Sequence, residues 1–415
     1  MKYGTLIRLL AVACVAMILL SGCSSDSDDG VPGVPVRIIA EMNGATYAPR
    51  TAKTTVRLPE DGLIWKEDTI GAKDYERTVK HVFLFAYKGI NPTPEKVIFY
   101  YPPGTTNPLD GMSAIDHFET RVISEIGTGT SDMALDLELL GGEYNFVLLV
   151  NCESALKKVK EEHAIPDPMQ LTEKNKIFTS DDLQGTNRKY LPMTGQSKFH
   201  VPDAMGSTER QTLSPPISLE RMHARVEFFL TTVDKNNNYL SPVLQSTKVT
   251  KLTLENELSG YSVLPSAGEY TATGGRNPEK RGVSYAGDPL FLPERASFHE
   301  GANDPGGYVG KYEKRLLPYE NGAPKYIYVA PGIYGTAKDG ALTLVCSVNY
   351  WDKADEPDNV YRVELYNPDL SEGEAGYYNI RRNTTYRVFS SLKGQDMNYN
   401  VVVDNWEDVE VAIPW

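Results

Sequence analysis

The sequence predicts an all-β protein, and two observations carry that expectation. Residue usage is the first: 25 Tyr, 34 Gly and 27 Pro stand against only 10 Met, which favours strands and turns over helix bundles. Patterning is the second, because many short segments alternate or run apolar and then stop at Gly, Asn, Asp or Pro. With 415 residues, 41% of them hydrophobic, the chain can build two or three cored domains. The formal charge of −13 repels phosphate backbones, so nucleic acid is not an expected partner.

The first element is a leader. Lys2 and Arg8 give a basic start, and Leu9 to Leu20 form an apolar run of about a dozen residues. A spanning helix needs ~20 apolar residues, so the run reads as a signal peptide covering 1–22. It ends in Leu20-Ser21-Gly22-Cys23, the lipobox pattern of bacterial lipoproteins, in which the thiol of Cys23 is diacylated and the bond before it is cut. Residues 23–33 follow as an acidic tether, with Ser24-Ser25-Asp26-Ser27-Asp28-Asp29-Gly30 too polar to bury anything. This tract resembles the one that directs Bacteroidetes lipoproteins to the outer cell surface. Cys152 and Cys346 lie in or beside apolar runs almost 200 residues apart, so neither a disulfide framework nor a catalytic thiol is expected.

A first series of strands is expected at Val34 to Met42, His81 to Tyr87, Leu135 to Leu139 and Tyr144 to Val150. In the earliest, Val36, Ile38, Ala40 and Met42 share one face. The His81 strand reads as buried on both faces, and one short helix fits Ser154 to Glu162. The polar stretch from Ser207 ends in Pro215-Pro216, which places the domain boundary there, within about ten residues, dividing residues 34–215 from 216–415. The second series covers Arg225 to Leu230, Lys251 to Leu254, Tyr326 to Ala330, Leu342 to Tyr350, Tyr361 to Tyr366, Thr385 to Phe389, Tyr399 to Val403 and Val409 to Trp415. Residues 265–325, rich in Gly, Pro and charge, read as long loops.

Catalytic and metal constellations are missing from the pattern. The six His are scattered, and neither Glu162-His163 nor His299-Glu300 has the second His of a zinc protease motif. Gly127-Thr128-Gly129 lacks the third glycine of a dinucleotide loop. The run from Asp234 to Asn238 begins like a calcium loop, but Tyr239 replaces the turn glycine and Gln245 the bidentate Glu. Leu191-Pro192-Met193-Thr194-Gly195 imitates a sortase signal without the terminal position that signal needs. No enzyme activity, metal or cofactor is therefore expected.

Several of these segments, in this order, resemble the fimbrillins of Bacteroidetes surface fimbriae (type V pili). They are the lipobox, the early strand with an arginine-containing loop behind it, Leu191 to Gly195, Leu219-Glu220-Arg221-Met222-His223-Ala224-Arg225-Val226, Ile380 to Val388, and the close from Asn405 to Trp415. The resemblance implies two transthyretin-like β-sandwich domains, export as an outer-membrane lipoprotein, and polymerisation by strand exchange. A trypsin-like protease would cut behind the first strand, at Arg50 or, as second choice, Arg57. The removed strand would carry Val36, Ile38, Ala40 and Met42. Partners would be further copies and accessory fimbrial subunits.

Strand exchange also has a physical basis of its own. A sandwich that loses a strand exposes an apolar groove lined with unpaired backbone groups, a template for another strand. Val409, Val411, Ile413 and Trp415 alternate with Glu410, Ala412 and Pro414, matching the first strand in length and phase. Burying four such anchors is worth ~6–12 kcal/mol before ordering costs. Pro414 removes a ladder donor and fits only near a strand end or edge. Two alternatives stay open: an uncleaved fimbrial anchor or tip adhesin, and a surface glycan-binding lipoprotein using Trp65, Trp351 or Tyr377-Tyr378.

Overall fold

In a computed structural model of the chain the described residues are 33–41, 56–57, 64–65, 78–111, 115–126, 132–174, 190–203, 209–233, 248–264, 282–284, 290–291, 316–317, 319–320, 323–324, 327–335, 337–349, 358–393 and 396–405. They are organised as β-sheets, with one α-helix among them. The all-β expectation holds.

The first half contains β1 (Val34–Glu41), β2 (Val82–Lys88), β3 (Lys96–Tyr101), β4 (Phe118–Val122), β5 (Glu125–Ile126), β6 (Met133–Leu139), β7 (Gly142–Val150), α1 (Glu153–Glu162), β8 (Met193–Val201), β9 (Gln211–Ser218) and β10 (Glu220–Arg221). One sheet has the order β9-β1-β6-β5 and the other β10-β8-β7-β2-β3-β4. Apolar side chains of both form one core, including Val36, Ile38, Leu135 and Leu137 from the first sheet and Leu84, Ile98, Phe146 and Leu148 from the second. The second sheet is covered on its other face as well. Phe83, Phe85, Phe99 and Leu149 join Ala155, Leu156 and Val159 of α1 in a cluster that continues into the second half of the chain. This two-sided cover explains why β2 reads as an unbroken apolar run, with every residue from Val82 to Ala86 fully buried.

The second half contains β11 (Ala224–Val233), β12 (Lys248–Glu255), β13 (Ile327–Val329), β14 (Thr343–Asn349), β15 (Asn359–Glu364), β16 (Thr384–Lys393) and β17 (Asp396–Asn405). Strands β11, β16 and β17 lie side by side in one sheet, and β12, β14 and β15 in another. Within the stretch read as long loops, short strands are present: Gly282–Ser284 and Leu290–Phe291 pair with β12, and Leu316–Leu317 pairs with β11. Two to three residues with no sustained alternation leave no periodic signal.

The sequence boundary at residues 215 and 216 falls inside β9. That strand pairs with β1, and the next, β10, pairs with β8, so the chain changes halves between Arg221 and Ala224. The Pro pair occupies an irregularity of β9, a few residues ahead of that change. Ile38 aligns with Leu213 and Ala40 with Ile217, so Ser214 to Pro216 bulge out at the sheet edge, where missing donors are tolerated.

Two of the singled-out motifs meet at this crossover. The Asn383 amide donates to the His223 carbonyl (2.8 Å), and the Arg221 amide donates to Asn383 Oδ1 (3.3 Å). Arg382, itself buried, donates to the carbonyls of Val263 (3.1 Å) and Ser262 (3.2 Å). His223 is hydrogen-bonded to the Tyr261 hydroxyl at 2.9 Å. Behind them the Glu227 carboxylate lies between Arg225 (3.1 Å) and Arg387 (2.9 Å), all three excluded from solvent. The Leu191 to Gly195 motif is structural too. A Cβ at Gly195 would stand 2.7 Å from the Ser218 carbonyl oxygen, so β8 needs glycine where the end of β9 crosses it.

The first strand and its slot as the candidate functional site

Strand β1 is the centre of the first sheet, antiparallel to β6 from Val34↔Leu139 to Ala40↔Met133 and parallel to β9 from Val36↔Gln211 to Glu41↔Ser218. Its side chains alternate between buried and half-buried along the whole length. Val34, Val36, Ile38 and Ala40 face the core with 3% exposure or less, so the expected face is observed and extends one residue pair further back, to Val34. Val34 shares the parity of the others, and that signal was present in the sequence. Pro35 sits at the strand's start, ahead of the parallel ladder, where proline is tolerated.

Both walls of the slot continue into the opposite sheet. On one side, β9 has β1 as its ladder partner and is followed by Leu219 and then β10, which pairs with β8 of the opposite sheet. On the other, β6 runs through Leu140 and Gly141 into β7, and pairs with β5. Excising β1 therefore leaves Leu213 and Ile217 facing Leu135 and Leu137 across a strand-wide gap. The β6 wall would keep its ladder to β5, and the β9 wall its continuity with β10. At the far end of the slot the Leu219 amide donates to the Glu41 carbonyl at 2.7 Å, tying the exit of β1 to the crossover between halves.

The outward face of β1 carries an ion pair that sequence reasoning did not find. Arg37 donates from Nε to Asp136 Oδ1 (2.8 Å) and from Nη2 to Oδ2 (3.1 Å), a bidentate arrangement. Glu125 approaches Arg37 at 3.7 Å, and Arg210 reaches Asp136 Oδ2 at 3.0 Å. Partial burial opposes ionisation of Asp136, but hydrogen bonds from Arg37 and Ser124 and the charges of Arg37 and Arg210 outweigh it and hold its pKa below the ordinary carboxylate value.

Other expected site residues lie elsewhere. Cys23, Met42, Arg50, Val409, Val411, Ile413, Trp415 and Trp351 fall outside the described residues, as do Gly127 to Gly129, Asp234 to Gln245 and His299. Arg57 belongs to the two-residue strand Val56–Arg57, paired with Ile64–Trp65. Tyr377 stacks on Tyr366 (5.1 Å between centroids) and takes the edge of Tyr378 (4.7 Å), so these rings spend their faces on each other. Cys152 and Cys346 are buried and not disulfide-bonded, and burial pushes the Cys346 thiol up to about 12. Among the described residues no group of three or more His, Cys, Asp or Glu is placed to hold a metal.

Two sandwiches in series, the first with a terminal strand threaded through its sheet, define a class of architecture rather than an active site. A candidate cell adhesion protein from Parabacteroides distasonis has this fold, with a TM-score of 0.52 at 13% identity over 91% of this chain and 98% of its own. Two Porphyromonas gingivalis structures are also similar. The C-terminally truncated tip fimbrial protein Mfa3 gives 0.49 at 13% identity, covering 90% of this chain and all of its own, and the fimbrilin FimA gives 0.46 at 14%, covering 91% and 99%. No family model matches the chain, and no curated protein sequence does. At the level of fold, the chain is similar to the Parabacteroides distasonis protein.

Proposed function

We propose that this protein is a structural subunit of a cell-surface fimbria, held at the outer membrane through Cys23 before assembly and polymerised by strand exchange. One observation carries the reading: β1 is an interior strand of its sheet, and the strands on both sides of it run on into strands of the opposite sheet. A cut anywhere between Glu41 and Val82, a stretch that includes Arg50 and Arg57, leaves β1 held by non-covalent contacts alone. Its three largest core side chains, Val34, Val36 and Ile38, contribute about 5–9 kcal/mol by burial before ordering costs. That is enough to keep the strand in place until cleavage, and within reach of exchange afterwards.

The incoming strand is the segment Val409, Val411, Ile413 and Trp415 of another copy. In the sequence it follows Asn405, the last residue of β17, which pairs with Thr384. The trypsin-like protease and accessory subunits are the partners, and adhesion is the role the assembled fibre serves. Incubation of the processed protein with a trypsin-like protease tests the reading. Release of the segment ending at Arg50, followed by oligomers in steps of one subunit, is expected, and Arg50→Ala blocks both unless Arg57 is used instead. A protein that resists cleavage and stays monomeric is an anchor and not a shaft subunit.

A further inference from the structure

We propose that Arg37 and Asp136 form a latch that holds the first strand in its slot and sets its register, and that exchange proceeds only by breaking it. The inference rests on the strand-exchange reading and assigns the control point of that same slot. Along β1 the outward side chains are Pro35, Arg37, Ile39 and Glu41, and among them only Arg37 is a cation. It makes a two-point contact with Asp136 on the neighbouring strand, with side-chain exposures of 25% and 19%. Such a fork fits one alignment of the two strands, whereas the apolar face tolerates a slip of two residues with little loss.

The pair belongs to a wider set of charges. Asp136 also meets Arg210, Arg37 also meets Glu125, and the Asp136 carbonyl accepts from Arg121 Nη1 (3.3 Å) and from the Tyr100 hydroxyl (2.8 Å). The Asp136 end is thus built into the slot wall, and only the Arg37 end departs with β1. From Asp404 to Trp415 the chain has no Lys, Arg or His. The outward residues of the C-terminal strand are Glu410, Ala412 and Pro414, so no alignment of that strand restores a cation opposite Asp136, and one that brings Glu410 there is repulsive. The ion pair therefore favours a subunit's own strand over a neighbour's.

The experiment uses the processed full chain, cut behind β1 by a trypsin-like protease and mixed with excess synthetic peptide matching residues 406–415. Native mass spectrometry follows release of the cut strand and uptake of the peptide. Arg37→Gln is expected to release its strand about 5- to 30-fold faster than the parent, equivalent to about 1–2 kcal/mol. Higher salt should speed the parent and leave the variant unchanged. Asp136→Asn, which keeps Arg37, is the second variant and should behave alike; melting of both before cleavage confirms that they are folded. Release rates within twofold of the parent in folded variants, with exchange still occurring, overturn the latch and leave strand exchange standing. Retention of the strand by parent and variants alike, against excess peptide, removes strand exchange and the latch together.

Discussion

Asp136 is the residue whose titration the fold makes measurable. Its folded-state pKa lies below the value of about 3.9 expected for an unfolded chain, so its contribution is present above that pH and is lost as pH falls through the folded value. Asp136→Asn should be less stable than the parent at neutral pH, with the gap closing as the pH falls below the unfolded-chain value and through the lower folded one. Denaturant melts across that range measure this, and a gap independent of pH contradicts it. At the same scale, Cys152 and Cys346 should ignore iodoacetamide in the folded protein and react on unfolding, since both are buried. Modification of either under native conditions, read by mass spectrometry, counts against the packing described. The thiols were legible because each stands in or beside an apolar run. The Arg37 to Asp136 pair was not, because it joins positions 99 residues apart, and only the strand register decides which of many acids faces a given arginine.

Among the elements, β1 shows how far alternation reaches. Its parity fixes which residues enter the core, so Ile38→Asp should cost about 3–5 kcal/mol by burying an unpaired charge. Ile39→Asp, one residue on and half-buried, should cost about 1 kcal/mol or less. Equal effects in urea melts would mean that the strand does not sit as described. Strands with sustained periodicity, such as β6 and β7, and the helix α1 were readable in the same way. Strands of two or three residues, and the bulge at the proline pair, were not, because their geometry is imposed by neighbours. Motifs that looked like signals proved to be joints: Gly195 permits a close crossing, and the segments around His223 and Asn383 stitch the two halves.

For the whole molecule, the crossover makes the two sandwiches one unit. Arg382 ties the start of β16 to the strand at Gly260–Ser262, which itself pairs with Thr172–Lys174 of the first half. Arg382→Ala should cost about 1.5–3 kcal/mol and separate calorimetric unfolding into two transitions, whereas a single unchanged transition would mean the halves are coupled elsewhere. The order of sheets was legible only in part, since sequence separation does not reveal that β9 returns to pair with β1.

The central claim is that β1 can be replaced in its slot by the tail of another copy. Its most direct test compares, by size and subunit ladder after proteolysis, the processed chain with one ending at Asn405. The account predicts stepwise oligomers from the first, none before cleavage, and folded, cleaved monomers from the second. Oligomers from the shortened chain, or none from the cleaved full-length protein, would contradict it.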